Sequence, residues 1–362
     1  MILIDRLLII GDEGMRLVAV KDLKGNEIIG ENIIRDNGVV LLNKGTRFRL
    51  SFAEKLLQYK IEMIYIEDKL SEGIIPMPVI EPEQKKQLIE DFRCEFDKVL
   101  KNKIVKLEPI YKIADGIVEA LVAKQAIYDL INVRTNAYNT YEHSIEVTIL
   151  VYMMCKKLMI PVNQTRDIVV GSLLHDIGMI FVPKEILEKT TKLTEEERKT
   201  IQNHSEMGYC MIKDDNTISA LAKLIVLCHH EREDGSGYPL GKGEDLHIGA
   251  KIVAACDIFV AITSERCYRE GLSLNEAIIL LRKEKLNEKV EKTLESMLNF
   301  YPVGSAVLLS NNAIAIVEKN YSEDLNRPSV RVVIESGKML DNYYKIDLLK
   351  ERTISIVKTV NI

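Results

Sequence analysis

The sequence is poor in the residues that mark several protein classes. Only 9 prolines and 19 glycines occur among 362 residues, and 47% of the residues are hydrophobic, which excludes a collagen-like or disordered chain. The six cysteines form no C-x-x-C pair and mostly lie in apolar runs, as expected for buried thiols in a reducing compartment. The longest apolar run, residues 147–155, falls well short of the ~20 residues of a membrane span. A globular cytoplasmic protein without a transmembrane helix is therefore predicted.

The sequence also lacks a large excess of either positive or negative charge. The formal net charge of −5 argues against binding to DNA or to an anionic membrane by bulk electrostatics. The apolar N-terminus, residues 1–14, lacks the charged leading segment and small-residue cleavage site of a secretory signal, and it is interpreted as a strand. We therefore expect neither DNA nor a membrane as a partner, and any phosphate-bearing ligand must be bound by a local site.

The length predicts two or three domains, since a typical domain has ~150 residues. Short apolar runs between glycines predict a β-rich N-terminal module over residues 1–75. A proline-spaced linker and a helix follow over residues 76–108, a helical domain over residues 109–300, and a small β-rich segment over residues 301–362. The predicted fold class is mainly α, with β-rich flanks. The predicted strands are residues 17–20, 27–29, 39–42, 63–66, 306–309, 313–317 and 329–334.

Helix boundaries are marked by a few side chains. Thr194 with Glu197, and Ser273 with Glu276, have the spacing of capping boxes and predict two helix starts. Gly178 is predicted to end the helix that carries His175. Apolar residues three or four apart predict one helix over residues 84–102.

All six histidines fall between residues 143 and 247, inside the predicted helical domain. A single histidine on an apolar helix face is usually a hydrogen-bonded core residue. Five of these histidines, however, lie beside large apolar residues together with two carboxylates, which buried in this way need partners. Such a set on antiparallel helices suits two divalent metal ions. The predicted ligands are His143, His175, Asp176, His204, His229, His230 and Asp257.

Two of these ligand segments carry longer motifs. The adjacent pair His175-Asp176 and the segment HHE-x-x-DGSGYP, residues 229–239, make this sequence similar to the HD-GYP subgroup of the HD-superfamily metal-dependent phosphohydrolases. The resemblance covers about residues 110–290. It implies a bacterial signalling enzyme of the cytoplasm that opens the cyclic dinucleotide c-di-GMP to linear pGpG, and often onward to GMP.

The resemblance also implies roles for the ligands. His143, His175, Asp176 and Asp257 would hold one ion, and Asp176 would bridge to a second ion held by the other three histidines. Two cations lower the pKa of a water bridging them, and the resulting hydroxide can attack phosphorus without a separate general base, with His175 and Asp176 as the central catalytic pair. The ligand types suit iron, manganese or zinc and do not choose among them.

The DGSGYP segment by itself would be an ordinary turn, since glycine and proline dominate turns. Directly after two predicted ligands it is interpreted as one wall of the site, formed by Gly237 and Pro239, where Tyr238 stacks on a base. Glu231 and Arg232 either brace this loop by ion pairing or are simply solvated.

Two arginines complete the predicted substrate contacts. Arg266 and Arg269 match the basic residues with which the family binds phosphate, and a guanidinium can contact two phosphate oxygens at once. Without the resemblance they would be interpreted as surface arginines at a helix end. His247 matches no ligand position and is interpreted as a loop residue.

Three positions depart from the family pattern. Met179 stands where the family has a lysine, Val260 where it has a second aspartate, and Asn139 where members with three metals have a glutamate. We therefore expect two ions rather than three. The first two changes keep an alternative open, namely a metal-bound, weakly active or inactive cyclic-dinucleotide receptor that signals through protein partners.

A third interpretation, an HD phosphohydrolase acting on nucleotides, is disfavoured by the DGSGYP segment and by the pair His229-His230. A GGDEF-type diguanylate cyclase is a candidate partner under either of the first two interpretations, and the sequence is compatible with a homo-oligomer.

Overall fold

A computed structural model describes residues 14–34, 40–59, 61–124, 127, 140–189, 191–264 and 274–362. The contacts divide the chain into two units. The first contains the residues before Pro78 together with those after Leu298, and the second is Pro78–Leu298. The predicted N-terminal strand lies almost entirely outside the described residues.

The N-terminal half of the first unit consists of short strands and one helix. Its core includes Phe48, Ile29 and Ile66, all almost completely buried. Strands β1, β5 and β2 form an antiparallel sheet in the order β1-β5-β2, and β3 pairs with β4. The elements are β1 (Met15–Ala19), β2 (Ile28–Ile29), β3 (Ile33–Ile34), β4 (Val40–Leu42), α1 (Leu50–Gln58) and β5 (Met63–Glu67).

The second unit is helical, which confirms the predicted mainly α fold with β-rich flanks. In α2 the buried residues Leu88, Phe92, Phe96 and Val99 recur at the spacing of one helix face, as predicted. The helices are α2 (Pro82–Asn102), α3 (Leu107–Leu121), α4 (Thr140–Lys157), α5 (Val162–Leu174), α6 (Lys184–Leu187), α7 (Glu195–Gln202), α8 (His204–Ile212), α9 (Ala220–Cys228), α10 (Ile248–Thr263), α11 (Leu274–Leu281) and α12 (Glu288–Glu295).

Helices α4 and α10 form the centre of this unit, and nearly every side chain in them is buried. Helix α4 packs on α5 and α10, and α5 packs on α9. Helices α4 and α10 are buried around most of their circumference, as expected for interior helices. In the part of the chain that the structure describes, every helix is too short or too polar to cross a bilayer.

The helix boundaries follow the predictions in one case and depart from them in another. Thr194 and Glu197 form the predicted capping box at the start of α7. Gly178, in contrast, does not end a helix: α5 ends at Leu174, and Gly178 lies in a 3-10 turn over Ile177–Phe181. The reason for a glycine is lack of space, because a Cβ there would lie 1.9 Å from the carbonyl oxygen of His204. The capping residue Ser273 falls outside the described residues.

The C-terminal half of the first unit is an antiparallel five-stranded sheet in the order β10-β6-β7-β8-β9. Ser336 and Gly337 both have positive φ angles and form the tight turn between β8 and β9, as two-residue hairpins require. The strands are β6 (Ala306–Leu309), β7 (Ile314–Lys319), β8 (Ser329–Glu335), β9 (Lys338–Asp347) and β10 (Ile356–Thr359).

The two halves of the first unit are joined by direct contacts. The N–H of Leu17 donates to the carbonyl of Gly304 at 3.0 Å. A Cβ at position 304 would lie 3.0 Å from the Cα of Arg16, so this close approach requires glycine. Ile74 packs against Ile316 and Val333 in a small apolar core. The two β-rich segments, distant in sequence, therefore share one folded unit.

Candidate metal centre

The predicted ligands lie on, or directly after, five helices that meet in the helical unit. His143 lies on α4 and Asp257 on α10, facing each other across the centre of the helical unit, with His143 Nε2 2.9 Å from Asp257 Oδ1. The other five ligands lie at helix ends. His175 and Asp176 directly follow α5, His204 begins α8, and His229 and His230 directly follow α9.

The seven side chains form two groups whose ligand atoms lie within 4.8 Å of one another. The first group is His143, His175 and Asp257, and the second is Asp176, His204, His229 and His230. All are buried except His230, whose side chain is 19% exposed. The structure thus brings together every residue predicted as a ligand, while their roles as ligands remain a prediction.

Two carboxylates lie between the groups. Asp176 Oδ2 is 3.5 Å from His175 Nε2, and its other oxygen, Oδ1, is 3.3 Å from His204 Nε2. Asp257 is placed similarly, because Oδ1 contacts His143 while Oδ2 lies 3.7 Å from His230 Nδ1. A carboxylate with one oxygen on each group is suited to bridging two cations.

Three of the histidines have one ring nitrogen fixed by the backbone. The Nδ1 atoms of His175, His204 and His229 lie 2.6, 2.7 and 3.0 Å from the carbonyl oxygens of Ser172, Ile201 and Val226. A carbonyl can only accept, so each Nδ1 carries the proton and each Nε2 presents a lone pair to the centre. This arrangement is typical of metal-ligating histidines, whose second nitrogen is oriented by such a bond.

The free lone pairs converge in a way that fits a cation. His204 Nε2 and His229 Nε2 lie 3.1 Å apart, close to the separation of about 3.0–3.4 Å expected for two nitrogens bound to one ion at ~2.1 Å. His175 Nε2 is fully buried and has no hydrogen-bond partner in the described part of the chain. Buried lone pairs without donors are costly, and a metal ion would compensate for them.

The electrostatics keep the centre ready for a cation. Burial, helped by the charges of His175 and His204, lowers the pKa of His229 to about 3, and burial also lowers the pKa of His230 well below its usual value. Burial raises the pKa of Asp176, but the neighbouring histidines outweigh this and the net shift is downward. The pKa of Asp257 is lowered in the same way. At neutral pH this keeps the rings of His229 and His230 neutral and the carboxylates of Asp176 and Asp257 ionised, the forms that bind metals.

The segment that follows the paired histidines, called here the GYP loop (residues 231–243), folds back onto them. The Tyr238 ring stacks on the His230 ring, with centroids 4.6 Å apart and planes at 28°. Burial raises the pKa of Tyr238 above its usual range, so the phenol stays protonated. Of the predicted substrate contacts, Tyr238 and its neighbours Gly237 and Pro239 therefore lie beside the second ligand group.

The other predicted substrate contacts cannot be placed. Arg266 and Arg269 lie outside the described residues, as does Asn139. His247 lies apart from the two ligand groups, where it caps α10 by accepting from the N–H of Gly249 at 3.0 Å. Val260 is fully buried in α10, so the aspartate of the family pattern is replaced here by an apolar packing residue.

Sequence reasoning missed the role of Glu231. Its carboxylate is buried and accepts backbone hydrogen bonds from Leu240 and Lys242, and among the described residues it forms no ion pair. Arg232 lies 3.6 Å from Glu284 and donates to the carbonyl of Glu231. The only sequence signal for the glutamate was its position directly after two predicted ligands.

The structure thus places the adjacent residues His175 and Asp176 at the end of α5, with further histidines at the ends of α8 and α9. Residues 125–294 match the family profile of the HD domain, and residues 306–362 match that of a KOW domain associated with HD domains. The match to the HD domain is thus limited to residues 125–294, and within these residues the resemblance on which the sequence analysis relied is confirmed.

Similar proteins include characterised relatives and one solved structure. A cyclic di-GMP phosphodiesterase of Pseudomonas aeruginosa, PA4108, is 34% identical over 210 residues, which are 57% of this chain and 51% of the relative. A 3'3'-cGAMP-specific phosphodiesterase of Vibrio cholerae is 38% identical over 152 residues, 40% of this chain and 34% of the relative. The structure of an HDGYP protein from Bdellovibrio bacteriovorus aligns with a TM-score of 0.49 and 18% identity, covering 78% of this chain and 99% of the other. The chain thus spans about half of the first relative and a third of the second.

Proposed function

We propose that this protein is a bimetal-dependent phosphodiesterase that hydrolyses a cyclic dinucleotide, c-di-GMP in the first instance, to pGpG or GMP. The observation that carries the proposal is the convergence of seven candidate ligand side chains, six buried and one partly exposed, in two groups with carboxylates between them. The names of the relatives support the substrate class, since both act on cyclic dinucleotides.

The proposal gives each residue of the centre a task. His143, His175 and Asp257 would hold one ion, His204, His229 and His230 would hold the other, and Asp176, placed between the two groups, would contact both. When bound, the pair of ions lowers the pKa of water toward neutrality and neutralises the phosphoryl oxygens as charge develops. The carboxylates balance the cationic charge, and the buried apolar walls of α4 and α10 exclude bulk water. Iron, manganese and zinc all suit this ligand set.

Substrate binding is assigned to the mouth of the centre. Tyr238 and the adjoining Gly237 and Pro239 form the wall against which a base packs, and Arg266 and Arg269 contact the phosphates. We place the reaction in the cytoplasm, because the described cysteines, including the exposed Cys94 and Cys210, are free thiols. A diguanylate cyclase of the GGDEF type is the proposed protein partner.

The receptor alternative is retained because of one position. Met179 lies in the turn that directly follows Asp176, where a lysine would add a cation for the phosphates. Its absence would weaken substrate binding or turnover without removing any metal ligand. Product analysis with c-di-GMP, described next, separates the enzyme from the receptor.

The test is product analysis with defined metals. The full-length chain is purified anaerobically, freed of metal and reloaded separately with Fe(II) or Mn(II). It is then incubated with c-di-GMP and, in parallel, with 3'3'-cGAMP, and the products are separated by chromatography. Formation of pGpG or GMP supports the enzyme, and preference for 3'3'-cGAMP would reassign the substrate.

Two histidine variants make the test specific. His175→Ala removes a ligand from the centre and should abolish product formation, whereas His247→Ala removes a histidine outside it and should leave turnover near that of the wild type. Tight binding of c-di-GMP without product by the metal-loaded wild type would support the receptor. Product formation by His175→Ala would contradict the bimetal centre.

A further inference from the structure

The carboxylate of Glu231 is one of the most completely satisfied buried acids in the helical unit. The residue is 3% exposed, and its two oxygens accept from the backbone N–H of Leu240 at 2.6 Å and of Lys242 at 3.0 Å. Charge-assisted bonds of this kind are stronger than neutral ones, and breaking them leaves a buried charge uncompensated. Glu231 therefore fixes the returning end of the GYP loop to the turn that carries His229 and His230.

The middle of the GYP loop is pressed onto the same turn. The N–H of Tyr238 donates to the carbonyl of His230 at 3.3 Å. A Cβ on Gly237 would lie 2.4 Å from that carbonyl oxygen and 2.5 Å from the Cα of Glu231, so only glycine fits this approach. The loop thus has little freedom to move as long as its returning end is held.

His230 differs from the other histidines of its group in how its ring is oriented. His204 and His229 donate Nδ1–H to backbone carbonyls. In the described part of the chain no backbone carbonyl accepts from the His230 ring, whose Nδ1 instead faces Asp257 Oδ2 at 3.7 Å. Three rings contact this ring: His229 with centroids 4.1 Å apart, Tyr238 stacked at 4.6 Å, and His204 edge-on at 5.0 Å. His204 and His229 are themselves held by backbone carbonyls. Tyr238, two residues before Leu240, is therefore the contact through which the GYP loop acts on the orientation of His230.

We propose that Glu231 is a positioning residue for the second ligand group. By holding the backbone at Leu240 and Lys242, it keeps the Tyr238 ring against His230 and so sets the affinity of this group for its ion. The inference rests on the proposed bimetal centre, but it concerns the loading of one ligand group and needs no substrate to be tested. Loss of a group that orients a metal-ligating histidine typically lowers metal affinity about 10–100-fold. We expect a loss of roughly this size when Glu231 is replaced.

The test is a calorimetric titration of the metal-free full-length chain with Mn²⁺ alone, which measures the affinity for each ion. Glu231→Gln keeps the side-chain length but turns one acceptor oxygen into a donor that faces a backbone N–H. We expect one of the two ions to bind about 10–100-fold more weakly and the other to bind as in the wild type. Glu233→Gln is the matched control, since Glu233 lies on the same loop but accepts from Lys251 and Asn287.

A second pair of variants tests whether the Tyr238 ring positions His230. These variants also cover the case in which Glu231→Gln does not fold. Tyr238→Phe keeps the ring stacked on His230 and should bind both ions normally. Tyr238→Leu removes the stacked ring and should reproduce the selective loss of one ion. Circular dichroism at each step shows whether the helical unit is intact.

The outcomes separate this inference from the function on which it rests. If folded Glu231→Gln, or folded Tyr238→Leu, binds both ions within twofold of the wild type, the positioning role is wrong even though the metal centre stands. If the wild type itself binds fewer than two Mn²⁺ ions, the bimetal centre is contradicted. Equal weakening of both ions in Glu231→Gln would also overturn the proposal, because a general loss of structure would explain it.

Discussion

His204 and His229 present their Nε2 atoms to each other at 3.1 Å, while each donates its Nδ1 proton to a backbone carbonyl. Two neutral rings in this state direct lone pairs at one another inside a buried centre, which is unfavourable. A cation between them converts the repulsion into two ligand bonds. The proposed bimetal centre therefore predicts that the stability of the helical unit depends on metal.

This dependence predicts that His204→Leu affects the free energy of unfolding differently with and without metal. In metal-free protein, the substitution removes one of the two opposed lone pairs and should leave the free energy of unfolding equal to that of the wild type or higher. With Mn²⁺ present, the wild type gains about 4 kcal/mol at a thousandfold excess over the dissociation constant, and the variant should lose most of this gain. Urea denaturation with and without chelator measures both values. A variant less stable than the wild type by the same amount in both conditions would contradict the prediction.

The lowered pKa values predict acid sensitivity of the metal-free protein. His229 has a pKa of about 3 in the folded state, and burial also lowers that of His230, whereas both titrate near 6.5 when unfolded. Between these values the unfolded chain binds protons that the folded chain does not. Stability should therefore fall as pH decreases from about 6.5, by up to about 1.4 kcal/mol per pH unit for each group.

The measurement is urea unfolding of metal-free protein between pH 8 and pH 5. His229→Gln should flatten the slope, and His247→Gln, which changes a histidine outside the centre, should leave it unchanged. A free energy of unfolding that is constant between pH 7 and pH 5 would show that these rings are not held neutral.

Met179 offers a test of the missing lysine. The residue is half-buried in the turn after Asp176, and its N–H donates to the Asp176 carbonyl at 2.9 Å. Met179→Lys should lower the KM for c-di-GMP roughly three- to tenfold, because an added cation near the phosphates contributes about 1 kcal/mol. Met179→Gln, of similar length but uncharged, is the control. Equal KM values in the two variants would mean that this position serves packing only.

Gly178 predicts a large effect from a single methyl group. A Cβ there would lie 1.9 Å from the His204 carbonyl oxygen and 2.6 Å from the N–H nitrogen of Gly208, so the turn after Asp176 would have to move away from α8. Gly178→Ala should lower the free energy of unfolding by about 3 kcal/mol and weaken metal binding, because it separates Asp176 from His204.

Gly116→Ala in α3 is the matched control for this substitution. Its Cβ would meet only the flexible end of Leu88, at 3.2 Å, and alanine is favoured over glycine within a helix by about 1 kcal/mol. Urea denaturation should show a change of no more than this size. Similar losses in both variants would mean that the close contact at Gly178 is relieved elsewhere.

Residue chemistry and motif spacing were enough to predict the candidate centre, and the structural reason is local. Each predicted ligand lies at a helix end or within an apolar helix, and a polar residue in such a place stands out in the sequence. The contact between Glu231 and the backbone of Leu240 and Lys242 leaves no such mark. It depends on how a loop returns, which no periodic pattern describes.

In the fold, too, local patterns are predicted from the sequence, whereas contacts between distant segments are not. Apolar runs and alternation predict most of the strands but not β3, β9 or β10, because β3 has only two residues and β9 and β10 are largely exposed. Gly178 was interpreted as a helix end, although its reason is a neighbour 26 positions later in the chain, His204. Contacts of this kind become visible only when the helices are packed.

The contact between Leu17 and Gly304 has a consequence for how the protein is made. Ile74 needs Ile316 and Val333 to complete its apolar core, and these residues leave the ribosome only after the whole helical unit has been synthesised. The helical unit, which contains the whole candidate centre, can therefore fold before the N-terminal half meets its partner strands. Because translation proceeds at about 5–20 residues per second, this delay lasts on the order of ten seconds or more, during which the exposed N-terminal strands are candidates for chaperone binding.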